Sequence, residues 1–283
     1  MGSLESFPQP QSPTGREHEM DPAPDYGVDT YCGYGRLQDR VALVTGADSG
    51  IGRAVALAFA REGADVAIAY LENHEDAEET LRVVTAAGRR GLLVASDLAT
   101  EAGCAEVVQR TVGEFGRIDV LVNNAAKQGK VVDRFEDLDA ERVESTFRVN
   151  VLSMFHLVRL SLPHMKAGAS IINVASIQAY APSAAILDYA ATKGAIVTFT
   201  KGLAQSLGDR GIRANCVAPG PVWTPLVVQS FESEKLSRFG KDTPLGRAAQ
   251  PRELAPAFVF LASEESSYVN GEVLGVTGGK PLA

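Results

Sequence analysis

A chain of 283 residues with 45% hydrophobic and 22% charged residues has the composition of an ordinary globular protein with a sizeable core. Its formal charge of -8, with no Lys/Arg cluster or basic-aromatic stripe, argues against nucleic acid as a partner. Apolar runs break well before the roughly 20 residues a bilayer needs, so no membrane span is expected.

The start "MGSLESFPQPQSPTGREHEMDPAPDYG" lacks the apolar core of a signal peptide, which points to a cytoplasmic location. Cys32, Cys104 and Cys216 are too scattered for a disulfide framework or a CxxC motif. His18, His74, His156 and His164 form no HxxxH or HxH pair, so no metal site is expected. Residues 1–36 are rich in Pro, Gly, Ser and charge and read as an N-terminal extension, either disordered or pinned to the domain or a neighbouring subunit. Tyr26, Tyr31 and Tyr34 favour docking of its second half.

From residue 37 to 283 short apolar runs alternate with helical segments. "VALVTG" is a buried strand, "GIGRAVALAFAREGA" a helix closed by Gly63, and "DVAIAY" a second strand. The helix "EDAEETLRVVTAAG", the strand "GLLVASD", the helix "EAGCAEVVQRTVGEFG" and the strand "IDVLVNNA" follow. One long helix spans "ERVESTFRVNVLSMFHLVRLSLPHM"; then come the strand "ASIINVAS", a helix opening near Asp188, and the strand "IRANCVAPG". A late helix "PRELAPAFVFLAS" precedes the last strand, "GEVLGVTGG". Strands written as unbroken apolar runs between helices predict an α/β fold: a single, doubly wound Rossmann domain whose mostly parallel sheet has about seven strands and helices on both faces. No second domain or solenoid repeat is visible.

"TGADSGIG", Thr45 to Gly52, joins the first strand to the first helix. Gly46, Gly50 and Gly52 permit a tight turn and close backbone approach, and the helix N-terminus beyond presents free N–H groups to a pyrophosphate. At the end of the second strand, where an acid would bond a ribose hydroxyl, stand Tyr70, Leu71 and Glu72. The arginine that would receive a 2′-phosphate is missing, and Asp48 and Glu72 lie close; the charge pattern leans slightly to NAD(H) over NADP(H). Asp97 and Asn123-Asn124-Ala125 end the third and fourth strands and point to the same crevice, although strand-terminating Asp and Asn also serve local turns.

Tyr189 and Lys193 in "DYAATKG" share one helix face four residues apart. An ammonium at about 4 to 5 Å supplies about 3 to 4 kcal/mol at an effective dielectric near 20, enough to lower a phenol pKa by two to three units. Such a tyrosine is a general acid or base at neutral pH. Ser176, closing the preceding strand, offers a hydroxyl to the same substrate oxygen.

Together these residues resemble the classical short-chain dehydrogenases/reductases over nearly all of residues 37–279: "TGADSGIG" is similar to the family's TGxxxGxG, "NNAA" to its NNAG, and Ser176 with Tyr189-x-x-x-Lys193 to its catalytic core. The resemblance implies an NAD(P)-dependent oxidoreductase moving a hydride between nicotinamide and a carbonyl or secondary alcohol. Tyr189 would be the acid/base, Ser176 the substrate-oxygen donor, and Lys193 the ribose ligand that lowers the tyrosine pKa. Asn150 would hold a water in a proton relay. Cofactor contacts are implied for Gly46, Asp48, Ser49, Gly50, Ile51, Gly52, Tyr70, Asp97, Leu98, Asn123, Ala125, Tyr189 and Lys193. "PGPVWTP" adds Pro219, Gly220, Val222 and Thr224 as a cover of the nicotinamide.

"TGADSGIGRAVA", "SIQAYAPS" and "MDPAPDYG" are similar to the glucose/ribitol-dehydrogenase-like branch with its N-terminal extension. That branch label does not establish a sugar substrate. A homotetramer is implied, packed through the long helix and the Tyr/Lys helix. Residues 223–246 are expected to close the substrate pocket, which Ser176, Gln178, Tyr180, Tyr189 and Trp223 would face. A non-redox lyase or dehalogenase on the same scaffold would lose the glycine turn or the lysine, and both are present. A non-catalytic nucleotide-binding protein is the third reading.

Overall fold

The computed structural model describes residues 15–232 and 236–282. Residues 1–14 of the extension, residues 233–235 of the expected substrate loop, and residue 283 lie outside the described residues. Seven strands run parallel in one sheet in the order β3-β2-β1-β4-β5-β6-β7. They are β1 (Val41–Thr45), β2 (Asp65–Tyr70), β3 (Gly91–Ala95), β4 (Val120–Asn123), β5 (Ser170–Val174), β6 (Arg213–Pro219) and β7 (Val273–Val276). Five consecutive buried residues in β1 and again in β5 explain why these strands read as unbroken apolar runs: helices cover both faces.

The main helices are α1 (Gly50–Arg61), α2 (His74–Ala86), α3 (Glu101–Phe115), α4 (Ala140–Phe147), α5 (Ser153–Ser161), α6 (Leu187–Leu207), α7 (Pro225–Ser230) and α8 (Ala255–Ala262). One core layer joins α1 and α8 to the sheet through Phe59, Val44, Phe258 and Val259. The other joins α3, α5 and α6 through Val107, Leu157, Leu121 and Leu207. Local signals set the ends: Thr100 accepts from the Gly103 N–H to cap α3, and Gly116, at φ 82°, closes it in the left-handed region. The single long helix expected over residues 141–165 is broken. A π-helical turn, Arg148–Leu152, sits between α4 and α5, with Asn150 at its centre.

From residue 15 onward the N-terminal segment lies against the domain. Tyr31 donates to Glu62 at 2.7 Å, Tyr26 to Glu79 at 2.8 Å, and the Arg61 guanidinium donates to the Gly27, Val28 and Tyr31 carbonyls. Burial raises the Glu62 carboxyl, but the Arg36 guanidinium and the surrounding N–H and O–H donors outweigh it and hold it down at about 2. The ordering cost of a segment with so few aliphatic side chains is met by hydrogen bonds to buried charges on α1 and α2.

Candidate active site

The sheet order reverses direction between β1 and β4, so a crevice opens at their carboxyl ends. A cleft of about 620 Å³ lies there. Of the expected cofactor residues, Gly46, Asp48, Ser49, Gly50, Ile51, Tyr70, Asp97, Leu98, Ala125 and Thr224 line it. Gly52, Asn123, Tyr189, Lys193, Pro219, Gly220 and Val222 do not form its described wall.

The glycine turn is shaped by exclusion. Gly46 and Gly50 take φ of 60° and 52°, which side-chain-bearing residues rarely adopt, and a Cβ on Gly52 would lie 2.0 Å from the Gly46 carbonyl oxygen. The turn is tied to β4 by Thr45, whose Oγ1 accepts from the Asn124 and Ala125 N–H groups at 2.9 and 3.0 Å. Asn124, rather than Asn123, reaches the cleft. Its Nδ2 donates to the Thr45 and Gly46 carbonyls, while the Asn123 side chain turns into the core and donates to Asn173 at 2.8 Å. The doubled asparagine made the assignment ambiguous; strand alternation decides it, since neighbours on a strand face opposite ways.

Ser176, Tyr189 and Lys193 form a second, buried cluster at the end of β5. Ser176 follows the strand, with extended backbone, and its hydroxyl accepts from the Gln178 N–H at 3.2 Å, beside the Tyr189 phenol. Lys193, 1% exposed, lies one turn beyond Tyr189 on α6; its Nζ sits 5.1 Å from the centre of the phenol ring and donates to the Val174 carbonyl at 2.8 Å.

The electrostatics reverse one expectation. Burial pushes the Tyr189 phenol up to about 12, with the nearby Ser176 hydroxyl opposing it, and the same burial lowers Lys193 to about 8. Desolvation dominates at both groups. The ammonium is also 5.1 Å from the ring centre and engaged by a carbonyl.

Asn150 connects the two clusters. Its Oδ1 accepts from the Lys127 N–H at 2.7 Å, and its Nδ2 donates to the Lys127 carbonyl and to Thr192 Oγ1. Thr192 in turn donates to the Tyr189 carbonyl at 2.6 Å. The π-turn aims this asparagine inward, where it is fully buried. At the mouth of α6, Asp188 accepts from Arg142 Nε and Nη2 at 2.9 and 3.0 Å and from Thr146, which holds its carboxyl below the usual range despite burial.

The substrate assignments fare unevenly. Gln178 accepts from the Ser183 N–H at 2.7 Å, and Tyr180 is half-buried beside it. Among the described residues Trp223 is not on the wall of the cleft. It is fully buried, packs with Met20, Val228 and Leu236, and donates its indole N–H to the Pro22 carbonyl at 2.8 Å. An amphipathic aromatic in a loop suggested a pocket wall; the N-terminal segment had already claimed it. Gln128, Ser145 and Val149 line the cleft without a motif to announce them.

A dinucleotide fits this site on the structure's own terms. Gly46 and Gly50 of the turn line the cleft, the α1 N-terminus faces it, and Gln128 Nε2, buried on its wall, has no hydrogen-bond partner among the described residues. Among the described residues no group of His, Cys, Asp and Glu is arranged to hold a metal ion. No described helix is long and apolar enough to cross a membrane.

Comparison with known proteins agrees with this geometry. A family model described as enoyl-(acyl carrier protein) reductase matches residues 46–280. Glucose and ribitol dehydrogenase homolog 2 of Arabidopsis thaliana is 50% identical over 282 residues, covering 96% of this chain and 97% of its own. The chloroplastic NADPH-dependent aldehyde reductase 1 of the same plant is 48% identical over 272 residues, 94% of each chain. A solved short chain dehydrogenase from Burkholderia cenocepacia J2315, in complex with NADP, superposes with a TM-score of 0.79 at 32% identity over 86% of this chain and 98% of its own. The lean to NAD(H) finds no support among these relatives.

Proposed function

The chain belongs to the short-chain dehydrogenase/reductase family and is an oxidoreductase with a nicotinamide cofactor; from that premise we propose how its residues divide the work. Ser176, Tyr189 and Lys193 carry the reaction on a carbonyl or secondary alcohol of small or medium size. The observation that supports this most directly is the burial of Ser176, Tyr189 and Lys193 together at the end of β5, with the Lys193 ammonium 5.1 Å from the centre of the phenol ring.

Gly46, Ser49, Gly50, Ile51, Tyr70, Asp97 and Thr224 would hold the dinucleotide, which when bound supplies or accepts the hydride. In reduction, the Tyr189 hydroxyl gives its proton to the substrate oxygen as negative charge develops there; in oxidation the phenolate takes it back. The Ser176 hydroxyl donates to the same oxygen and fixes its place. Lys193, protonated below about pH 8, adds positive charge beside the phenol. Asn150 orders the backbone at Lys127 and the Thr192 turn, and is proposed to hold the relay water.

Both NADP(H) and NAD(H) remain in the proposal. Burial raises the Asp48 carboxyl, with Asp76 adding to it and the Ser49 hydroxyl and Arg53 opposing it. A homotetramer is part of the reading. Leu152 and Phe155 are half exposed on the π-turn and α5, and Phe155 stacks on Phe199 of α6 at 4.3 Å, an apolar face suited to a second copy. A cytoplasmic location rests on three free cysteines, two of them buried, which suit a reducing compartment.

The test is a fluorescence titration with NADH and NADPH, followed by turnover of an aldehyde, ketone and polyol panel with the tighter binder. Tyr189→Phe should lower turnover by about a hundredfold to ten-thousandfold, as loss of a positioned acid/base does, while leaving cofactor binding within threefold. Retained turnover would remove Tyr189 from its role. Binding without turnover across the panel would favour a non-catalytic nucleotide-binding protein.

A further inference from the structure

Glu17, from the N-terminal segment, is 3% exposed and lies against the head of α1. Its Oε2 accepts from the Gly50 N–H at 2.5 Å and its Oε1 from Arg53 Nη1 at 2.5 Å. Arg53 is itself held by the Asp48 and Asp76 carbonyls, and the Glu17 N–H donates to the Asp76 carboxylate at 2.8 Å. Two residues earlier, Gly15 reaches the wall of the cofactor cleft.

Helix geometry leaves the N–H groups of Gly50, Ile51 and Gly52 without partners inside α1. Glu17 takes the first of them, leaving Ile51, on the cleft wall, to face an anion. Gly50 is also one of the two glycines whose positive φ shapes the turn. We propose that Glu17 is a positioning residue of the cofactor site: by bonding the Gly50 N–H and the Arg53 guanidinium together, it locks the glycine turn into its dinucleotide-binding shape. This rests on the nicotinamide-cofactor reading above.

The charge at this point gives the idea a signature. Glu17 is faced by Asp48 on the turn, Arg53 on α1, Asp76 on α2 and His18 beside it, and His18 bonds Asp76 and lies 3.5 Å from Glu75. Burial, with Asp48 and Asp76 adding to it and Arg53 opposing it, raises the Glu17 carboxyl to about 7. A pyrophosphate brought to the same helix end adds negative charge and favours the protonated carboxyl. By linkage, dinucleotide affinity then falls as pH rises through neutrality.

The experiment is a fluorescence titration of the full chain with NADH and NADPH from pH 6 to 8.5, on wild type, Glu17→Ala and Glu17→Gln, with thermal unfolding and steady-state kinetics alongside. Glu17→Ala should raise the cofactor Kd about tenfold, the worth of one charge-assisted hydrogen bond, while kcat at saturating cofactor stays within threefold. Glu17→Gln, neutral and still an acceptor, should bind within threefold of wild type at pH 6 and lose the pH dependence; since His18 is untouched, the difference isolates Glu17. Wild-type affinity in Glu17→Ala, or a wild-type pH slope in Glu17→Gln, overturns the proposal. Should Glu17→Ala not fold, the Glu17→Gln slope decides alone. Failure of wild type to bind either dinucleotide would instead strike the cofactor reading.

Discussion

Replacing Lys193 by Met keeps the volume of the buried stem and removes the ammonium. The ammonium lies 5.1 Å from the centre of the phenol ring; at that separation, with an effective dielectric near 20, it is worth about 3 kcal/mol to charge on the Tyr189 phenolate. The loss equals about two pKa units, or a hundredfold less phenolate at pH 7. Alcohol oxidation at saturating cofactor, measured from pH 6 to 10, should fall about a hundredfold at neutral pH. Stability separates this from simple damage. Folding lowers Lys193 from 10.5 to about 8, so the unfolded chain binds the extra proton between those values and stability rises with pH across that window. Below pH 8 the buried ammonium costs about 3 kcal/mol, offset in part by its bond to the Val174 carbonyl. Lys193→Met should therefore unfold at pH 7 no more readily than wild type by thermal denaturation. If turnover stays above a tenth of wild type and the pH profile is unmoved, the ammonium is not the phenol's electrostatic partner.

Two contrasts test the frame. Gly52→Ala drives a Cβ to 2.0 Å from the Gly46 carbonyl and should abolish dinucleotide binding in the titration, whereas Gly113→Ala on the exposed face of α3 meets nothing within 4 Å and should raise stability by about 1 kcal/mol in urea unfolding. Arg142→Ala strands the Asp188 carboxylate at the mouth of α6 and should cost about 3 to 5 kcal/mol. In the wild type this carboxyl is held below its ordinary value, so its stabilisation is complete above about pH 4, the unfolded value, and is lost as pH falls through the depressed one; acid titration followed by circular dichroism reads the difference.

The sheet was legible because both its faces are buried, so each strand announces itself as an apolar run with no competing alternation. Ser176, Tyr189 and Lys193 were legible because helical spacing and strand-end position suffice to bring them together. The phenol's pKa was not, since the strength of desolvation depends on neighbours far apart in the chain. Asn123 and Asn124 differ only by strand parity, and a boundary one residue off exchanges them. The π-turn inserts a residue into a pattern whose apolar period continues on either side. Trp223 and Glu17 share a cause of failure: each is defined by a contact between the extension and the domain, over about two hundred residues in one case, and no local pattern encodes such a pairing.

The bond from the Trp223 indole to the Pro22 carbonyl bears on protein engineering. Residues 223–246, proposed to close the substrate pocket, would be the segment to exchange when substrate preference is to be altered, yet Trp223 and Val228 share their packing with Met20. A graft that imports the loop alone would leave that packing open on one side and a carbonyl without its donor. The exchangeable cassette is discontinuous, and a library built on this scaffold should vary residues 20–22 together with the loop.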